Sequence, residues 1–76
     1  MSDHQQELDA TGLNCPLPVL KAKKTLDKMT SGHVLRVIST DPGSVDDMAS
    51  LAKNAGHQLI ESRQESDKYL FLIRRG

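Results

Sequence analysis

The spacing of hydrophobic residues in the first third of the chain changes from a period of two to a period near four. "ELDAT", residues 7–11, alternates apolar and polar side chains, which predicts a short strand that ends at Gly12. From Pro16 the apolar residues recur three or four positions apart, as on one face of a helix that ends near Ser31 and Gly32. These apolar residues are Val19, Ala22, Leu26 and Met29. The chain is therefore expected to begin with a strand followed by a helix.

The rest of the chain predicts another strand and helix, and then two strands. "HVLRVIST" is rich in β-branched residues and indicates the second strand. Asp41 and Pro42 look like an N-cap and the first residue of a second helix, and Gly56 suits the left-handed end of that helix. Its predicted apolar face consists of Val45, Met48, Ala49, Ala52 and Ala55. "HQLIESRQ" and "KYLFLIRR" then indicate two strands joined by a tight turn at residues 66–67.

The last strand is apolar on both of its faces, which predicts a place inside the sheet. Its hairpin partner lies on one side and the second strand most simply on the other, and right-handed crossovers put both helices on one face. The predicted fold is an α/β (α+β) two-layer sandwich, βαβαββ, with a four-stranded mixed sheet of order 1-2-4-3. Arg36 marks the solvent-facing side of the second strand, so Val34 and Ile38 are expected on the uncovered face.

Length and charge narrow the classes of function. We expect a disordered tail, residues 1–6, and one small domain, residues 7–76, that buries only roughly 60 to 65% of its unfolded surface. Ten Lys and Arg residues balance ten Asp and Glu residues, so the broad positive field that nonspecific nucleic-acid binding needs is absent. A protein partner or a small ligand is favoured, with no direct nucleic-acid binding, and the free domain is expected to be a monomer.

Cysteine and histidine usage indicates the compartment and the cofactors. The single cysteine cannot close an internal disulfide, although a secreted domain of this size usually needs several. No apolar segment is long enough for a signal peptide or a membrane span. The three histidines are far apart and give no zinc-ligand spacing. We therefore expect a cytoplasmic protein that needs no metal, cofactor or membrane.

The single cysteine, Cys15, lies in "CPLP", where the first strand leads into the first helix. With Pro16 as the first helical residue, Cys15 would be the N-cap, and the free amide of Leu17 could donate to its sulfur. A helix N-terminus favours an anion, which predicts a thiol pKa lowered toward neutrality. Pro18 falls in the first turn and constrains Leu17, so that Gly12, Pro16, Leu17 and Pro18 together set the position of the thiol.

Other interpretations of these residues remain open. A lone cysteine is ordinarily a small buried hydrophobic residue, although its place between glycine and two prolines favours an exposed and reactive thiol. A thioredoxin-like site is excluded because no second cysteine follows. Lys21, Lys24 and Lys28 form one stripe on the first helix, which is either an ordinary solvated face or a docking face for acidic partners.

These residues resemble the TusA/SirA-like sulfur carrier family, whose signature is Cys-Pro-x-Pro. The similarity is carried by Leu8, Asp9, Gly12, Cys15, Pro16 and Pro18, by the Lys-bearing helix, by Asp41-Pro42 and by the closing "YLFLIRRG". The resemblance implies that Cys15 accepts sulfane sulfur as a persulfide from a cysteine desulfurase or another persulfide donor. It also implies delivery to a downstream sulfur-relay protein, as in tRNA 2-thiouridine synthesis.

The sequence departs from the family pattern at one place. Many members tied to tRNA thiolation have a proline just after the aspartate of the second helix, whereas "DDMASLAKNAG" here is uninterrupted. Sulfur oxidation, molybdenum cofactor and selenium pathways therefore stay open as well. A carrier is favoured over an enzyme because no base, oxyanion donors or cofactor loop accompanies Cys15. The alternatives are a small regulatory or nucleic-acid-binding module and a thiol redox sensor.

Overall fold

A computed structural model describes residues 5–76, which form one four-stranded sheet and two helices. The elements are β1 (Gln6–Ala10), α1 (Leu17–Asp27), β2 (Val34–Ser39), α2 (Ser44–Ala55), β3 (Gln58–Glu65) and β4 (Lys68–Arg74). The strand order is β1-β2-β4-β3, with β1 parallel to β2 and with β4 antiparallel to both of its neighbours. The predicted βαβαββ fold and its 1-2-4-3 order are confirmed.

The first strand begins inside the segment that was expected to be a tail. Of that segment, residues 1–4 lie outside the described residues, and Gln6 already belongs to β1. The Gln5 amide donates to the Val34 carbonyl at 3.0 Å, and Gln5 Oε1 accepts the Val34 amide at 2.8 Å. These two hydrogen bonds extend the pairing of β1 with β2 by one residue.

Both helices are shorter than the sequence predicts. α1 begins at Leu17, with Pro16 rather than Cys15 as its N-cap, and it ends at Asp27, before the predicted end near Gly32. α2 begins at Ser44 because the three residues before it form a turn: the Gly43 amide donates to Asp41 Oδ1 at 3.2 Å. Asp41 therefore caps this turn instead of the helix, and Gly43 is the N-cap. The left-handed Gly56 that ends α2 is as predicted.

The hydrophobic core lies between the sheet and the two helices. It consists of Ala10, Ala22, Leu26, Met29, Leu35, Val37, Met48, Leu51, Ala52, Phe71 and Ile73. Ala49 and Ala55, predicted to face the core, are exposed, and Leu51 is buried in their place. The reason is that α2 packs along the row Ser44, Met48, Leu51, Ala52, which is rotated from the predicted face.

The other face of the sheet is uncovered, as predicted. Val34, Arg36 and Ile38 are half-buried there, while their neighbours along β2 are fully buried. Arg36 pairs with Glu7 on the adjacent strand, which holds its side chain over the sheet. Within residues 5–76, neither helix has the length and apolar character needed to cross a membrane.

Candidate functional site

The loop between β1 and α1 presents Cys15 at the surface. Gly12 has φ +80°, a left-handed conformation that favours glycine, and its amide donates to Thr40 Oγ1 at 2.9 Å. The Cys15 amide donates to Asp41 Oδ2 at 2.5 Å. The loop that carries the thiol is therefore attached at two points to the loop that precedes α2.

The start of α1 differs from the predicted geometry in a way that changes the environment of the sulfur. The Leu17 amide donates to the Asn14 carbonyl at 2.9 Å, so it is not available to Cys15 Sγ. Pro16, the N-cap residue, makes no side-chain capping hydrogen bond, and the Cys15–Pro16 peptide bond is cis. The predicted hydrogen bond from Leu17 to the sulfur is thus wrong, because a tight turn of the backbone uses that donor.

The thiol instead faces carboxylates. Cys15 Sγ donates to Asp47 Oδ2 at 2.5 Å. This hydrogen bond raises the pKa of the Cys15 thiol above its ordinary value, and partial desolvation and the negative charges of Asp47 and Asp41 act in the same direction. The predicted lowering of the thiol pKa is wrong, because the sulfur lies beside two acidic groups from the α2 side that the prediction did not include.

The motif residues divide into exposed and buried groups. Pro16 and Leu17 are exposed, whereas Pro18 is fully buried at the second position of α1. A proline at that position loses no helical hydrogen bond, so its ring is free to pack against the core. Pro18 is therefore a packing residue as well as a residue of the turn, which the sequence alone did not indicate.

We expect Pro18→Ala to lower the free energy of unfolding by about 1 kcal/mol. Two buried methylene groups are lost at about 0.8 kcal/mol each, and the better helix propensity of alanine offsets only part of that loss. Urea denaturation followed by circular dichroism measures the change. Leu17→Ala, at an exposed position, is the matched control, and an unchanged midpoint for Pro18→Ala would show that its ring contributes no packing energy.

The predicted lysine stripe lies on the side of α1 that faces β1. Lys21, Lys24 and Lys28 line one shallow groove there together with Leu8. Lys23 points to the opposite side and shares a groove between the two helices with Asp47. The structure thus brings the three predicted lysines together but separates them from the carboxylates around the thiol.

Sequence reasoning missed the acidic residues beside the thiol. Asp41 was predicted as a helix cap, and the sequence pattern predicted no contact between Asp47 and the thiol. They lie 26 and 32 residues from Cys15 along the chain, so no local spacing connects them with it. One signal was available. β2 precedes both aspartates and runs parallel to β1, which precedes Cys15, so all three residues follow strands that end at the same edge of the sheet.

Comparison with known proteins gives consistent matches over almost the whole chain. A sequence profile of the family described as sulfurtransferase TusA matches residues 6–75. The chain is 60% identical to the sulfur carrier protein TusA of Allochromatium vinosum over 99% of both chains. It is 42% identical to the sulfur carrier protein TusA of Pseudomonas entomophila, over 95% of this chain and 90% of that protein. The crystal structure of a SirA-like protein from Desulfitobacterium hafniense superposes with a TM-score of 0.82 at 28% identity, covering 95% of this chain and 99% of that one.

Proposed function

The chain belongs to the sulfurtransferase TusA family and is a sulfur carrier, and from this premise we propose that Cys15 is the residue that carries the sulfur. The proposal is that the thiol accepts sulfane sulfur as a persulfide and delivers it to a downstream protein in the cytoplasm. The protein acts as a carrier between partners, without turnover of its own.

The observation that carries this proposal is the exposure of the only thiol of the chain at the end of a fixed loop. A carrier must offer its sulfur to two different proteins, and an exposed side chain at the edge of the sheet is open to both. Sulfur transfer to and from a thiol needs a sulfur atom that is nucleophilic and that the partner protein can reach. One exposed cysteine can meet both requirements. The remaining chemistry is supplied by the partners.

The surface beside the thiol supports docking of a protein rather than of a small molecule. Leu17 is 46% exposed and Leu20 is 54% exposed, and within residues 5–76 only Ile60 is a comparably exposed large hydrophobic residue. Both leucines lie in the first turns of α1, two and five residues after Cys15 in the chain. Apolar side chains of this kind gain contact area when a partner covers them. We propose that a cysteine desulfurase, or another protein that carries a persulfide, binds here as the sulfur donor.

The direct test is the intact mass of the protein after incubation with a cysteine desulfurase and cysteine. We expect a gain of one sulfur atom that a reductant removes and that Cys15→Ser does not acquire. A gain of oxygen instead of sulfur would favour a redox sensor, since a sulfenic acid is the first product of thiol oxidation. Unmodified wild-type protein, under conditions where the desulfurase itself carries sulfur, would contradict the proposed function.

The lysine stripe allows a separate test of docking. Lys21→Glu with Lys24→Glu should slow sulfur acceptance about tenfold at low salt, because reversed charges repel an acidic partner during encounter. The difference should shrink as ionic strength rises, because exposed charges are screened beyond about 8 Å at physiological salt. Rates of acceptance over a salt series, with alkylation of Cys15 by neutral iodoacetamide as the control for thiol reactivity, measure this effect. Equal rates for both proteins at every salt concentration would make these lysines an ordinary solvated face.

A further inference from the structure

The carboxylate of Asp47 accepts a hydrogen bond from the Cys15 thiol, and this contact changes when the carrier takes up sulfur. The carrier is empty when Cys15 is a thiol and loaded when Cys15 is a persulfide. Resting on the function proposed above, we infer that Asp47 is a positioning residue that stabilises the empty carrier relative to the loaded one. It binds the thiol of Cys15, repels the persulfide that replaces this thiol, and so favours release of sulfur to the acceptor.

The geometry singles out Asp47 among the nearby acidic residues. Its Oδ2 lies 2.5 Å from Cys15 Sγ, and its backbone is held in the first turns of α2. Asp41 already accepts the backbone amides of Cys15 and Gly43, so it adds negative charge without binding the sulfur. Asp46 is the preceding residue of the same helix, but it is exposed. One basic residue, Lys23, also lines the groove that contains Asp47.

Loading removes the hydrogen atom on which this contact depends. Cys15 Sγ loses its proton and forms a bond to the outer sulfur of the donor persulfide, while the S–S bond of the donor breaks. The electron pair of that bond leaves with the donor cysteine, which takes up the proton and becomes a thiol again. One sulfur atom has moved between two thiols, and no external oxidant or reductant is consumed.

The loaded carrier has no hydrogen on Sγ to donate to Asp47. A persulfide is also a stronger acid than the corresponding thiol, so its outer sulfur is largely anionic at neutral pH. This anion meets the negative charges of Asp47 and Asp41. A group that binds one state and repels the other shifts the equilibrium by the difference between these two interactions. Asp47 thus lowers the affinity of the carrier for sulfur and turns the outer sulfur away from α2.

The test is the equilibrium between the protein and glutathione persulfide, with free glutathione as the acceptor, read by intact mass. Asp47→Asn keeps the shape of the side chain but removes the charge. We expect its equilibrium constant for loading to rise roughly fivefold, the factor implied by the Coulomb energy between adjacent unit charges in water. Return of sulfur to glutathione should slow correspondingly. Asp46→Asn removes an equal charge from the same turn of α2 and should behave as the wild-type protein.

A second readout separates this role from a structural one. The rate of alkylation by iodoacetamide as a function of pH should shift to lower pH in Asp47→Asn, because the thiolate is no longer disfavoured by the carboxylate. Asp47→Ser, which is also neutral, should shift in the same direction and guards against a folding defect of one variant. A wild-type protein that takes up no sulfur overturns the proposed function itself. A wild-type protein that loads, with both Asp47 variants matching it in equilibrium and pH profile, overturns only the role of Asp47.

Discussion

Phe71→Ala should lower the free energy of unfolding by about 3 to 5 kcal/mol, the usual cost of removing a large aromatic side chain from a core. Phe71 is the only phenylalanine of the chain and is fully buried on the inner strand β4. It pairs with Val37 on one side and with Ser62 on the other, and it belongs to the core between the sheet and the helices. A small domain has few other core residues that could close the resulting cavity. Small domains lie toward the low end of the usual stability range of about 5 to 15 kcal/mol, so this variant should retain little stability at room temperature.

Urea denaturation followed by circular dichroism measures this loss. Leu72→Ala is the matched control, because Leu72 is the next residue of β4 but faces the uncovered side of the sheet and is half-buried. We expect it to cost clearly less than Phe71→Ala. If the two variants lost equal stability, the core would not be confined to the helical side of the sheet.

Asp41→Ala should slow sulfur acceptance by a factor on the order of 10 to 100, because it removes the acceptor that holds the amide of Cys15. The same carboxylate accepts the Gly43 amide, so its loss loosens both loops at the site. Misplacement of a reacting group by about 1 Å is enough to cost two orders of magnitude in rate. The expected defect is therefore one of position, while the core stays intact.

Asp41→Asn provides the discriminating comparison. An asparagine side chain retains one oxygen that can accept the Cys15 amide, but it has no charge. We expect it to recover most of the rate that Asp41→Ala loses, measured as sulfur transferred to Cys15 over time by mass spectrometry. If the asparagine variant were as slow as the alanine variant, the charge of Asp41, and not its hydrogen bond to the loop, would be the important property.

The order of the strands was predictable because it depends on the hydrophobic pattern of each strand and on the right-handedness of crossover connections. β4 is apolar on both phases, which placed it inside the sheet, and right-handed crossovers placed both helices on one face. The ends of the helices were less predictable. An aspartate side chain can accept hydrogen bonds either as a helix N-cap or within a turn. In the structure Asp41 accepts the Gly43 amide, so it stabilises the turn before α2. Pro18 was recognised as a residue of the first turn, but its burial was not.

The sequence by itself determined the βαβαββ order, the sheet topology and the identity of the candidate residue Cys15, which stands in a recognisable Cys-Pro-x-Pro motif. Only the tertiary structure decided the electrostatic environment of that residue. The predicted lowering of the thiol pKa considered α1 alone, whereas Asp47 approaches from α2, 32 residues away. Charges and hydrogen bonds act through space over a few ångströms, and the packing of one helix beside another is what brings such groups together.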